Sequence, residues 1–253
     1  MSYDIVLLHG HPETPVVWSL LVEALGRDDV HTPQLPGFGC PAPAGFGATK
    51  EEYVDWFLGE VESIVAASGP VDLVGHDWGG GIGMRAVSLR PELFRSWACD
   101  VLGLFHPDYV WHALAQIWQS PEGEAWFEES RARPIEEAVA LWEMLGIPRV
   151  IGEPLALASD TELARCALAL YRSAAQPEMA RWGAELGPAA TVPGLVLHAP
   201  NDPFAGGDAL AGPVGAGLGA ETAELTGQGH WWMASDPEGS ARTLQAFWER
   251  VGS

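Results

Sequence analysis

Six consecutive residues, Gly75-His76-Asp77-Trp78-Gly79-Gly80, constrain the fold of this chain more than any other stretch. They follow a short apolar run, Val71-Asp72-Leu73-Val74, and lead into a helical pattern over Gly80 to Leu89. Small residues at Gly75, Gly79 and Gly80 permit a tight turn from strand to helix, with the central residue pushed above the sheet. Two further apolar runs end the same way: Ile5-Val6-Leu7-Leu8 stops at His9-Gly10, and Gly194-Leu195-Val196-Leu197 stops before Pro200. Short apolar runs cut off by turn residues suit strands buried on both faces, as in a parallel sheet. Weaker strand patterns lie at Asp29 to Thr32, Ser96 to Leu102 and Glu221 to Leu225. Between them, Glu51 to Ala67 carries Val54, Phe57, Leu58, Val61, Ile64 and Val65 at helical spacing, and Pro237 to Val251 opens with Asp236 as a cap. The alternation predicts an α/β fold with right-handed crossovers and a mostly parallel sheet of about six strands flanked by helices.

One region departs from that alternation. Residues 105–190 read as helical and hold five of the twelve tryptophans, Trp111, Trp118, Trp126, Trp142 and Trp182. Pro121, Pro134, Pro148, Pro154 and Pro177 divide the region into several helices. A helical insertion placed before the last two strands has the form of a cap, which divides the chain into a core (1–104 and 191–253) and a cap (105–190). Aromatic residues at helical spacing more often pack a core than touch a ligand.

A chain with 13 Lys+Arg against 34 Asp+Glu carries a net charge of -21, which repels nucleic acid and anionic lipid. Cys40, Cys99 and Cys166 are odd in number, widely spaced and without a zinc-ligand pattern, so reduced thiols in a cytoplasmic protein are expected. The start, Met1 to Leu8, has no basic region, and no stretch reaches bilayer-spanning length.

The chemistry-bearing residues fall in the loops after the strands. Asp77 stands where G-x-S-x-G motifs place a serine nucleophile, and the helix beyond it favours its negative charge. Asp202 follows in Asn201-Asp202-Pro203, and His230 in Gly227-Gln228-Gly229-His230-Trp231. Nucleophile, acid, histidine is the chain order of α/β hydrolases. Asp100, at the end of the preceding strand, is a rival for the acid role. His9-Gly10-His11-Pro12 can supply a backbone N–H which, with that of Trp78, forms an oxyanion hole. His9 and His11 as zinc ligands is a weaker reading of the same residues.

His-Gly-His-Pro, Gly-His-Asp-Trp-Gly-Gly, Asn-Asp-Pro and Gly-His-Trp resemble the epoxide hydrolase and haloalkane dehalogenase branch of the α/β-hydrolase superfamily. The resemblance covers nearly the whole chain, cap included. It implies Asp77 as nucleophile, His230 as base, Asp202 as its orienting acid, and the main chains of His11 and Trp78 as oxyanion hole. It implies no metal and no cofactor, with water as co-substrate. The family carries two strands before its His-Gly motif, whereas eight residues precede His9 here. The sheet edge left uncovered points to a homodimer.

A carboxylate nucleophile suits displacement at saturated carbon, since attack on an acyl carbon would give an anhydride. The leaving group is then an epoxide oxygen, which needs a proton, or a halide, which does not. Tyr171, in Leu170-Tyr171-Arg172, resembles the ring-opening tyrosine of epoxide hydrolases and favours the epoxide. Trp78 in place of arginine argues against haloacetate, and His11 stands where haloalkane dehalogenases commonly have asparagine. The family's second cap tyrosine falls near Leu114, with Tyr109, Trp111 or His112 as substitutes. The tryptophan-rich cap suggests a small apolar or aromatic substrate, with Trp78, Trp111, Trp118 and Tyr171 as its contacts. The competing readings are haloalkane dehalogenation with the same triad, and a ligand-binding homologue that no longer turns over.

Overall fold

The computed structural model describes residues 4–252, so the first three residues of the Met1 to Leu8 stretch lie outside it. Six strands form one parallel sheet: β1 (Ile5–Leu8), β2 (Val30–His31), β3 (Val71–Gly75), β4 (Phe94–Cys99), β5 (Gly194–His198) and β6 (Glu221–Glu224), in the order β2-β1-β3-β4-β5-β6. Chain-order helices are α1 (Ser19–Leu25), α2 (Lys50–Ser68), α3 (Trp78–Leu89), α4 (Ala113–Gln119), α5 (Gly123–Arg131), α6 (Ile135–Met144), α7 (Arg149–Ala158), α8 (Thr161–Ser173), α9 (Glu178–Ala184), α10 (Asp208–Gly217), α11 (Trp232–Ser235) and α12 (Pro237–Val251).

The all-apolar runs are explained by burial on both faces. In β1, Val6 and Leu8 face one core with Phe57, Val61 and Ile82, while Ile5 and Leu7 face the other with Trp18, Leu244 and Phe247. In β5, Val196 joins the first core, and Leu195 and Leu197 join the second. The helix α2 opens with a capping box, in which Thr49 accepts from the Glu52 N–H and Glu52 reaches back to the Thr49 N–H.

The weaker strand patterns shift at their ends. β4 begins two residues before Ser96 and stops at Cys99, because Asp100 turns its carboxylate into a buried hydrogen-bond network. β2 is two residues long and half-buried, so this sheet edge offers little unpaired backbone. The helices α4 to α9 all lie between β4 and β5. No helix among the described residues is long and apolar enough to cross a membrane.

Candidate active site

Chain order reverses between β1 and β3, which are neighbours in the sheet. Loops leaving the carboxyl ends of strands at such a point converge on a crevice. Here the loop after β1 brings His9 to Glu13, and the turn after β3 brings His76 to Trp78. Asp77 holds φ 50 and ψ -125, a sharp backbone geometry rarely adopted outside glycine. Glycine is required where the two loops touch: a Cβ on Gly10 would lie 2.3 Å from Asp77 Oδ1 and 2.5 Å from the Trp78 N. That close approach lets the His11 N–H donate to Asp77 Oδ1 at 2.8 Å. The Trp78 N–H, in the first turn of α3, has no acceptor within its own helix and faces the same corner.

The other oxygen, Asp77 Oδ2, lies 3.8 Å from His230 Nε2. His230 follows β6, and its Nδ1 donates to Asp202 Oδ2 at 2.8 Å. The loop after β5 locks Asp202 by donating to Oδ1 from the Phe204 N–H at 2.7 Å and the Ala205 N–H at 3.3 Å. With Nδ1–H committed to Asp202, the Nε2 lone pair faces Asp77 and the cavity. Burial and the nearby His76 pull the His230 pKa down, but Asp202 and Asp77 outweigh them and leave it above the ordinary 6.5. Burial pushes Asp202 up, yet its bond to His230 holds it below the usual carboxylate range.

Asp77 differs from the sequence expectation that the helix terminus sets its charge. Burial is the largest influence and lifts its pKa to about 6, against the pull of His230, His76 and the His11 N–H. The carboxylate is still ionised at neutral pH, by a narrow margin.

Asp100 belongs to a different partner. Its Oδ2 accepts from Trp232 Nε1 at 2.7 Å and binds His76 Nδ1, while Oδ1 accepts from the Asp77 N–H at 3.1 Å. On the far side of His76, Nε2 lies 3.4 Å from Glu13 Oε1. Glu13 is fully buried and accepts from the Gly10 N–H at 2.9 Å and from Trp231 Nε1 at 2.9 Å. Burial opposes a charge on His76, but the two carboxylates raise its pKa well above 6.5. This Glu13–His76–Asp100 network, with the His76 ring 4.5 Å from that of His230, lies beneath the triad. Sequence reading did not find Glu13, whose only linear trace is its place directly after His-Gly-His-Pro.

Ligand atoms of Glu13, His76 and His230 lie within 4.8 Å of one another, near enough to share a cation. Glu13 already accepts from Gly10 and Trp231 and His76 binds Asp100, with His76 Nε2 in a 3.4 Å contact to Glu13, so a cation would have to displace that contact. The His9/His11 zinc reading fails on geometry. His9 Nδ1 pairs with the Gly10 carbonyl at 3.0 Å and Nε2 accepts from the Leu35 N–H at 3.2 Å, leaving no nitrogen free.

A cavity of about 580 Å³ opens above Asp77 under the cap. Asp77, His11, His230, Tyr171 and His112 supply its polar inner surface, and Trp118, Trp126, Phe127 and Phe204 its aromatic walls. Of the expected substrate contacts, Trp118 and Tyr171 line it. Trp78 and Trp111 are not among its lining residues. Their rings stack at 5.7 Å behind Tyr171, and the Trp111 indole N–H is tied to the Ala174 carbonyl at 3.2 Å. Tyr171 is fully buried, and burial and then Asp77 raise its pKa well above 10, with a hydrogen bond from the Trp78 side chain pulling the other way.

The Tyr109 hydroxyl donates to the Phe204 carbonyl at 2.8 Å, and Tyr109 is not among the cavity's lining residues. His112 does face the cavity; its Nδ1 accepts from the Ala115 N–H at 3.2 Å, and burial lowers its pKa to about 4. The His11 ring is buried among Phe38, Trp118, Phe127 and Tyr171, and neither of its nitrogens has a hydrogen-bond partner. Burial lowers its pKa to about 3, so the ring is neutral.

Against known proteins, the sequence profile described as "Alpha/beta hydrolase family" matches residues 5–243. Among curated proteins, the cis-3-alkyl-4-alkyloxetan-2-one decarboxylase of Shewanella oneidensis is 32% identical over 111 residues. That match covers 41% of this chain and 34% of the relative, so this chain spans about a third of the relative's length in alignment. Among solved structures, the fold resembles 2-hydroxy-6-oxo-6-phenylhexa-2,4-dienoate hydrolase (BphD) from Rhodococcus sp. strain RHA1, with a TM-score of 0.76, 20% identity, and coverage of 98% of this chain and 91% of that one. The haloalkane dehalogenase DbeA from Bradyrhizobium elkani USDA94 gives a TM-score of 0.74 at 19% identity, covering 99% and 91%. NosK from Streptomyces actuosus gives 0.71 at 21% identity, covering all of both chains. At these identities the solved structures share the fold, while the profile, spanning nearly the whole chain, establishes the family. The chain belongs to the alpha/beta hydrolase family.

Proposed function

We propose that this protein opens an epoxide to a vicinal diol through an ester on Asp77. Oδ2 attacks a ring carbon, the C–O bond breaks, and the released oxygen takes the proton of Tyr171. His230 Nε2 then removes a proton from water, which adds to the Asp77 carboxyl carbon. The negative charge develops on Oδ1, where the His11 N–H already donates. Collapse breaks the ester C–O bond; the departing alkoxide takes the second water proton from the regenerated Asp77 carboxyl to complete the diol, and the proton on His230 restores Tyr171. The observation that carries this reading is Tyr171: a phenol lining the cavity beside Asp77, held protonated, can supply the proton that an alkoxide needs and a halide does not.

The oxetan-2-one relative favours a second reading, opening of a strained lactone. Attack at its alkyl carbon would release a carboxylate, which needs no proton from Tyr171. Tyr171→Phe separates the readings. It should slow epoxide opening on the order of 10²-fold, the usual worth of one general acid. Turnover of oxetan-2-ones or haloalkanes should be nearly unchanged. Equal slowing of all three would remove the reason for preferring epoxides. Binding without turnover of any of them would leave the ligand-binding reading.

A further inference from the structure

The cavity is apolar along most of its length but not at its mouth. Its buried end holds Asp77 and His11, while its outer wall reaches the half-buried Arg131 at the end of α5 and the exposed Arg133 just before α6. Cations are scarce in this chain, with 13 Lys+Arg against 34 Asp+Glu. Ten of the 13 form ion pairs. Among the described residues only Arg131, Arg133 and Arg242 form none. Arg242 sits exposed on α12, away from the cavity lining; the other two line the cavity that holds the chemistry.

Of the carboxylates nearby, Glu128, Glu129 and Glu137 form no ion pair with either arginine, and two others are committed elsewhere. Glu136 takes Arg149 through both oxygens at 2.9 Å, and Glu124 takes Arg172 through both at 2.7 Å. Two guanidinium groups are thus left without an internal anion in a protein whose net charge of -21 repels anions from the rest of its surface. A planar guanidinium fork matches a carboxylate in shape as well as charge. Between this mouth and Asp77 the walls are apolar, with Trp118, Phe127, Leu145 and Leu155 among them.

We propose that the substrate is an amphipathic carboxylate, with its head group at Arg131 and Arg133, its apolar stem under the cap, and its electrophilic carbon at Asp77. The proposal rests on the epoxide reading only for the identity of the reacting carbon; the mouth assignment concerns the opposite end of the molecule.

The test therefore uses unreactive ligands. Trp118, Trp126 and Trp142 line the cavity, so tryptophan fluorescence reports occupancy directly. Decanoate should bind the intact protein about tenfold more tightly than methyl decanoate, the combined worth of two surface ion pairs. The double variant Arg131→Gln, Arg133→Gln should lose that preference while binding the methyl ester as before. Added salt should narrow the preference in the parent protein and leave the variant unchanged. Equal binding of the two ligands by the parent, or equal weakening of both in the variant, would overturn the assignment. Retained preference for decanoate with no turnover of any epoxide would sink the epoxide reading alone. Turnover of neutral epoxides without any carboxylate preference would sink the mouth assignment alone.

Discussion

Replacing Asp77 by asparagine should abolish turnover and make the protein more stable at neutral pH. A carboxyl lifted by burial from 3.8 to about 6 favours its protonated form in the folded state. That contribution to stability is fully present below 3.8 and is lost as pH rises through about 6. Ionised Asp77 therefore costs about 3 kcal/mol, at roughly 1.4 kcal/mol per pKa unit. Asparagine carries no charge, keeps an oxygen for the His11 N–H and fits the same space. By linkage about half of the cost, roughly 1.5 kcal/mol, is incurred between about pH 5 and pH 8. Urea unfolding of both proteins at those two pH values measures it. The stability advantage of the variant should grow by roughly 1.5 kcal/mol from the lower to the higher pH, or about 3–6 °C in melting temperature for a domain of this size. An advantage that is the same at both, or larger at the lower pH, would refute burial as the dominant influence on Asp77.

The pH profile of turnover should show an acid limb and no alkaline one through mildly alkaline pH. Attack requires ionised Asp77, so single-turnover ester formation should fall as pH drops through about 6, whereas ester hydrolysis requires neutral His230 and should fall as pH drops through a value above 6.5. Because the two groups are coupled, the limbs belong to the pair, and stopped-flow measurement of each half-reaction is the check. Asp202→Asn should slow ester hydrolysis on the order of 10³-fold with little loss of stability, because it removes the partner that orients and charges His230. Asp100→Asn should instead cost about 3 kcal/mol in urea unfolding, since it leaves buried His76 short of a counter-charge. Reversal of those two phenotypes would return the acid role to Asp100.

What could be read from the sequence followed from local physics. β1, β3 and most of β5 are buried on both faces and so appear as largely apolar runs, interrupted in β3 by the buried Asp72, whereas the half-buried β2 and the largely exposed β6 leave faint patterns. The start of α3 was misplaced by two residues because glycines carry no hydrophobic periodicity, and the elbow itself supplies the helix start at Trp78. Asp77, Asp202 and His230 were legible because each must follow a strand in fixed chain order. The structure brings them together around one point. The Glu13–His76–Asp100 network was not legible, since three polar residues in separate loops give no linear sign that they meet. The position of Trp111 was not legible for the same reason: its spacing places it in the cap, but only the folded chain shows its stack with Trp78.

The central claim is that Asp77 forms an alkyl ester. Intact-mass spectrometry of the His230→Gln variant after exposure to a terminal epoxide tests it most directly, because that variant should form the ester and fail to hydrolyse it. The account predicts a mass gain equal to the whole epoxide, located on the peptide that contains Asp77 and absent when Asp77→Asn is added. A variant that consumes or binds the epoxide without any such adduct, or that carries the adduct on another residue, would contradict it.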